Sequence, residues 1–120
     1  MTRRRAPDQG DVYWIDSNPI SGHEIKDKHR FIIITRKEIN ALGVSITVPV
    51  TSGGKFSREN GLTVPILGHD TTGVALCNQV RSFDIEAREQ AGTAKYVETL
   101  DTDTIDEIIS RVVSIIDPAD

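Results

Sequence analysis

Within ten residues the chain sets an imidazole, carboxylates and a guanidinium close together: Ser21-Gly22-His23-Glu24, then Lys26, Asp27, Lys28, His29 and Arg30. Cleavage of an RNA phosphodiester by side chains alone asks for that set. A base takes the proton of the attacking 2′-hydroxyl, an acid protonates the departing 5′-oxygen, and fixed donors hold the phosphorane oxygens as charge builds on them. Histidine titrates near neutral pH and serves at either proton step. Arginine stays charged, and its planar fork matches phosphate. Farther on, Thr51-Ser52-Gly53-Gly54 offers two hydroxyls and turn N–H groups that can cradle a phosphate. Each signal has a plain reading beside it: a solvated loop histidine, a surface ion pair of Arg30 with Asp27 or Glu24, an ordinary turn.

The frame that must hold these groups is small. Its 120 residues, 38% hydrophobic and 27% charged, suit one domain over 1–120, with residues 1–8 expected to form a flexible basic arm. No apolar run approaches the ~20 residues of a spanning helix. Arg3-Arg4-Arg5 leads into Ala-Pro-Asp-Gln-Gly and not into an apolar stretch, so no signal peptide is expected and the predicted location is the cytoplasm. One cysteine, Cys77, and three histidines, His23, His29 and His69, make no zinc-type spacing. No metal or other cofactor is expected, and Cys77 reads as a small buried thiol. Net charge is −4, unevenly spread: residues 1–60 hold 10 Lys/Arg against 7 Asp/Glu, residues 61–120 hold 4 against 11. The acidic average argues against tight nonspecific binding to duplex nucleic acid. A local basic groove built from the first half, including Lys28, Arg30, Arg36, Lys37, Lys55 and Arg58, remains open.

Hydrophobic patterning predicts short strands closed by a helix. Gly10 to Asp16, Phe31 to Thr35 and Val44 to Val50 are rich in β-branched and aromatic residues. Leu62 to Leu67 contains Pro65, which predicts an edge strand. Gly73 to Ser82 is the longest β-like stretch, broken by Asn78-Gln79, and Lys95 to Leu100 can add a last strand. Ile20 to Lys28 and Glu89 to Ala94 read as loops, and Arg36 to Leu42 as one helical turn. Ile105, Ile108, Ile109, Val112, Val113, Ile115 and Ile116 recur at helical spacing, predicting a helix over 104–116. Asp103 or Thr104 would cap it, Glu107 would complete a capping box, and Pro118 would end it. The fold class is therefore α+β, mainly β: a small barrel with a C-terminal helix. Part of that wide apolar stripe is available to a second copy of the chain.

Several short motifs in order carry a resemblance. Gly10-Asp-Val-Tyr-Trp, Asn18-Pro19 with Ser21-Gly22-His23-Glu24, Arg30 leading an apolar strand, Val48-Pro-Val-Thr-Ser-Gly-Gly54, and Gly73-Val-Ala-Leu-Cys-Asn-Gln-Val-Arg-Ser-Phe-Asp-Ile-Glu-Ala-Arg88 resemble the MazF/PemK family of type II toxin–antitoxin endoribonucleases. The resemblance runs from about residue 9 to 116 and is nearest the ChpB and PemK branches. It implies an SH3-like barrel with a C-terminal helix, a homodimer, and sequence-specific, metal-independent cutting of single-stranded mRNA to 2′,3′-cyclic phosphate and 5′-hydroxyl ends. It also implies a cognate acidic antitoxin that blocks the RNA groove. Carried over by position, Arg30, His23 and Thr51 are the catalytic candidates. Ser52, Glu24, Lys28, Asn78, Gln79, Lys55 and Phe56 are the RNA-binding candidates. Asn78 stands where PemK-type members often have an acidic residue, Leu76 where they have arginine, and Phe31 where the family usually has proline. Asparagine takes no proton at neutral pH, which leaves His23 or Glu24 as the base. The alternative, motivated by Leu76 and Asn78, is a noncatalytic barrel of the same shape that binds a protein partner, such as a degenerate toxin or a gyrase-inhibitor-like relative.

Overall fold

Alternation sends every second side chain of a strand to one face, and here both faces of the central strands are apolar enough to be buried. The computed structural model describes residues 6–16, 28–53 and 58–118. Its strands are β1 Asp11–Asp16, β2 Lys28–Ile33, β3 Ser45–Thr51, β4 Thr63–Ile66, β5 Gly73–Leu76, β6 Arg81–Phe83 and β7 Ala94–Thr99. Helices α1 Lys37–Asn40, α2 Ile85–Gln90 and α3 Thr102–Ile116 accompany them. The sheet order is β4-β5-β3-β2-β1-β7, and every pairing is antiparallel. β3 takes two partners along one edge, β6 at Ser45–Thr47 and β5 at Val50–Thr51. The sheet therefore curls in place of lying open, with an apolar cluster on each side of its central strands.

On one face Val12, Ile32, Val48 and Ala75 meet Ile105, Ile108 and Val112 of α3. On the other, Tyr13, Ile15, Phe31 and Ile33 pack against Phe83 and Ile85. Phe31 and Phe83 meet edge to face, with ring centroids 5.0 Å apart. Burial of each such side chain contributes about 1.5–3 kcal/mol. Phe31, Ile32 and Ile33 are fully buried in succession, so the second half of β2 is clamped from both sides.

This architecture is the α+β barrel with a C-terminal helix that the patterning predicts. β4, with Pro65, lies at the end of the sheet order, as an edge strand should. Strand β2 runs Lys28–Ile33 where Phe31 to Thr35 is expected, because its polar start pairs with β1 as well as its apolar end. Three further local features differ from expectation. The stretch 73–82 divides into β5 and β6, because the chain turns after Leu76, whose carbonyl accepts from the Gln79 N–H at 3.1 Å. The segment read as a loop over 89–94 begins inside α2, whose N-cap Asp84 accepts from the Ala87 N–H at 3.0 Å. Helix α3 starts earlier than 104, capped by Asp101, whose Oδ2 accepts from the Thr104 N–H at 3.0 Å. It ends at Ile116, two residues before Pro118. Ile105, Ile108 and Val112 are buried, while Val113, Ile115 and Ile116 stay exposed at its far end.

The expected arm over 1–8 is tied down at its end. Pro7 is buried, and its carbonyl accepts from Asn40 Nδ2 at 2.7 Å; residues 1–5 lie outside the described residues. No helix among the described residues is long and apolar enough to cross a membrane.

Candidate functional site

Strand register decides where the guanidinium goes. Trp14, Arg30, Val50 and Ala75 are cross-strand neighbours on β1, β2, β3 and β5, on the face that Val12, Ile32 and Val48 share. Two residues before Ile32 that apolar face runs out, and Arg30 emerges at the rim with its side chain 25% exposed. The guanidinium carbon sits 5.3 Å from the Trp14 ring centroid, and Nη1 donates to Thr71 Oγ1 at 2.9 Å. The aromatic face and the hydroxyl together limit the swing of a long side chain.

Thr51 closes β3 beside it, and its Oγ1 accepts from the Gly53 N–H at 3.1 Å. Arg58 secures the same turn from outside, donating from Nε to the Gly53 carbonyl at 2.7 Å and from Nη2 to the Ser52 carbonyl at 3.0 Å. Gly73 lets β5 approach this point. Its φ is +117°, and a Cβ there would stand 2.4 Å from the Thr51 carbonyl oxygen, so only glycine fits.

Trp14, Arg30, Val50, Thr51 and Ser52 line a cleft of about 320 Å³. Of the residues singled out in the sequence, Lys28, Arg30, Thr51 and Ser52 share its wall. Asn78 and Gln79 lie in the turn between β5 and β6, outside that lining. His23, Glu24, Lys55 and Phe56 lie outside the described residues. Among the other cations considered for a groove, Arg58 holds the turn, and Lys37, on α1, is 4.0 Å from Asp8.

Sequence reasoning passed over Trp14, Asp70, Thr72 and the role of His29 in the same wall. Trp14 carried a signal, since a tryptophan at an outward position of a strand is seldom there for packing alone. His29 lies 3.1 Å through Nδ1 from the Val50 carbonyl, which only accepts. That contact puts the proton on Nδ1 and leaves Nε2 of the neutral ring as an acceptor.

Behind the cleft lies a line of polar groups. Glu98 Oε2 accepts from the Thr71 N–H at 2.6 Å, and Glu98 Oε1 is 3.2 Å from His69 Nδ1. His69 Nε2 is 2.7 Å from Asp101 Oδ1. Burial opposes ionisation of Glu98, but hydrogen bonds from Thr71 and His69 outweigh it and hold the carboxyl below its usual range. The hydrogen bond to Asp101 and the pairing with Glu98 raise the His69 pKa against the opposing effect of burial. The His69 and Thr104 hydrogen bonds in turn lower that of Asp101. Cys77 is the small buried thiol that its sequence setting suggests: 1% exposed, with burial pushing its thiol up to about 11, it is no nucleophile at neutral pH.

Cationic, hydroxyl and N–H donors dominate the cleft wall, a set suited to an anion. No group of three or more metal-ligating side chains occurs among the described residues.

Residues 8–116 match a family described as PemK-like, MazF-like toxin of type II toxin-antitoxin system. The chain is 30% identical over 120 residues to the endoribonuclease toxin ChpB of Escherichia coli K12, covering 98% of this chain and 100% of that one. It is 31% identical over 120 residues to the endoribonuclease PemK of Escherichia coli, covering 97% and 87%. A crystal structure of MazF from Deinococcus radiodurans superposes with a TM-score of 0.79, over 94% of this chain and 98% of that one, at 24% identity. At that identity the likeness speaks for the fold.

Proposed function

This chain belongs to the PemK-like, MazF-like toxin family of type II toxin–antitoxin systems, and on that premise we propose that it is an endoribonuclease toxin acting on single-stranded mRNA. The observation that carries the reading is the convergence of Arg30, Thr51, Ser52 and Lys28 on one cleft. The 2′-oxygen attacks phosphorus, forming the O2′–P bond, and the P–O5′ bond breaks. The products are a 2′,3′-cyclic phosphate and a 5′-hydroxyl. Arg30 stabilises the charge that develops on the nonbridging oxygens, where a preorganised donor is worth most. Thr51 and Ser52 fix the phosphate, and Lys28 adds electrostatic attraction for the strand. His23 or Glu24 takes the 2′-proton, a role drawn from the family resemblance, and the departing 5′-oxygen receives a proton from protonated His23 or from water, which completes the 5′-hydroxyl. No metal ion takes part in these steps.

The chain works as a homodimer in the cytoplasm and is restrained by a cognate acidic antitoxin that occupies the basic cleft. Incubation of purified protein with a long single-stranded RNA in EDTA tests the reading. Fragments ending in cyclic phosphate are expected; intact RNA, with the antitoxin bound tightly, would support the noncatalytic barrel in its place.

A further inference from the structure

The two ends of the sheet order, β4 and β7, are not paired with each other by a backbone ladder. Side chains span that seam. His69 and Thr71, in the turn leaving β4, meet Glu98 of β7, and Thr71 is also the partner of Arg30. Glu98 Oε2 stands 4.0 Å from Arg30 Nη1, so one carboxylate faces both the cation and the turn that holds it. Thr71 is fully buried; its hydroxyl accepts from Arg30 and its N–H donates to Glu98. Beyond Glu98, His69 reaches Asp101, the N-cap of α3. The latch therefore runs from the cleft to the start of the C-terminal helix.

We infer that Thr71 and Glu98 are positioning residues for Arg30, forming a polar latch across the barrel seam that aims the guanidinium into the cleft. Without it, Arg30 keeps only the Trp14 face among the described contacts, and a long side chain regains rotamers that point away from a bound phosphate. Nη1 is the guanidinium nitrogen tied to Thr71, which leaves the edge bearing Nε and Nη2 to approach phosphate in the forked manner of arginine. Neither Thr71 nor Glu98 needs to touch RNA for this. The inference rests on the proposed endoribonuclease reading only for its catalytic consequence, since the ordering of Arg30 is measurable without substrate.

Two readouts on the full chain test it. The first is 15N relaxation of the Arg30 Nε–H group. Its order parameter is expected near about 0.8 in the unaltered chain and below about 0.6 in Thr71→Val, which keeps the side-chain shape and removes the hydroxyl. The second is RNA cleavage, separated into kcat and KM. Thr71→Val and Glu98→Ala are expected to lower kcat about 10- to 100-fold with KM changed less than about threefold. Thr71→Ser, which restores the hydroxyl, should stay within about threefold of the unaltered chain. The double variant should be little worse than the poorer single one, because both break one latch. Unchanged Arg30 order in Thr71→Val, or losses that multiply in the double variant, would overturn the latch. Failure of the unaltered chain to cut RNA, with Arg30 still loosened by Thr71→Val, would reject the endoribonuclease reading and keep the latch.

Discussion

Two hollows of this molecule differ in the opposite sense in size and in chemistry. The larger, about 510 Å³, lies among Ala6, Pro7, Asn40 and the start of α2, where Asp84 and Glu86 bring two carboxylates. The smaller, about 320 Å³, has Lys28 and Arg30 against Asp70, with Thr51 and Ser52 at the end of a strand. A polyanion is repelled from the first and drawn to the second, so volume is a poor guide and the sign of the lining charge a good one. The hollows also differ in what holds their key groups. Asn40 of the larger one spends its amide on Pro7 and Thr35 carbonyls, a structural use. Arg30 of the smaller one lines the cleft and is tethered through Nη1 to Thr71.

The contrast can be broken most sharply by substitution on both sides. Arg30→Ala should reduce RNA cleavage by about 100- to 1000-fold while the chain stays folded, its thermal midpoint lowered only by the lost Thr71 and Trp14 contacts. Glu86→Gln, in the larger hollow, should leave the rate within about twofold. Equal rates for the two variants would end the assignment of chemistry to the smaller hollow.

Gly73→Ala tests whether that hollow depends on a close backbone approach. A methyl group meeting the Thr51 carbonyl at a positive φ should cost about 2–3 kcal/mol in urea unfolding and displace the end of β3. Unaltered stability would mean that the wall around Thr51 yields easily.

The smallest effect sharpens the charge argument. Each phosphate neutralised on a single strand contributes about −0.7 to the slope of log affinity against log salt. Lys28→Gln should make that slope shallower by about 0.7 for a short RNA, read by fluorescence anisotropy. A slope that does not change would remove Lys28 from the RNA path.

Much of the fold was legible because its cause is local. The run Phe31 to Thr35 contains nothing but apolar or β-branched residues, and such a run is buried wherever it pairs. The Ile105, Ile108 and Val112 spacing marks one helical face. The start of α3 was misplaced because Asp101, Asp103 and Thr104 are all competent caps; Asp101 is the one that His69 also engages. Helix α2 did carry a signal, with Asp84 ahead of helix formers and Gly92 in a left-handed turn after them. Of the candidate site, Arg30, Thr51 and Ser52 were readable from motif order. Trp14 carried a signal only as an outward aromatic; Asp70, Thr72 and the latch behind Arg30 were not readable, since nothing in linear spacing relates Thr71 to a residue 41 positions earlier.

By itself, then, the sequence determined which segments become strands and helix and which functional groups the first half supplies, because periodicity and residue chemistry act over a few neighbouring positions. Tertiary structure decided which of those groups meet. Cross-strand register set Arg30 over Trp14, a close approach at Gly73 brought β5 to Thr51, and a seam closed by side chains tied His69, Thr71 and Glu98 together. The reason is physical. Side-chain encounters across a curled sheet depend on pairing geometry and closure, which sum over the whole chain and leave no periodic trace in any short stretch of it.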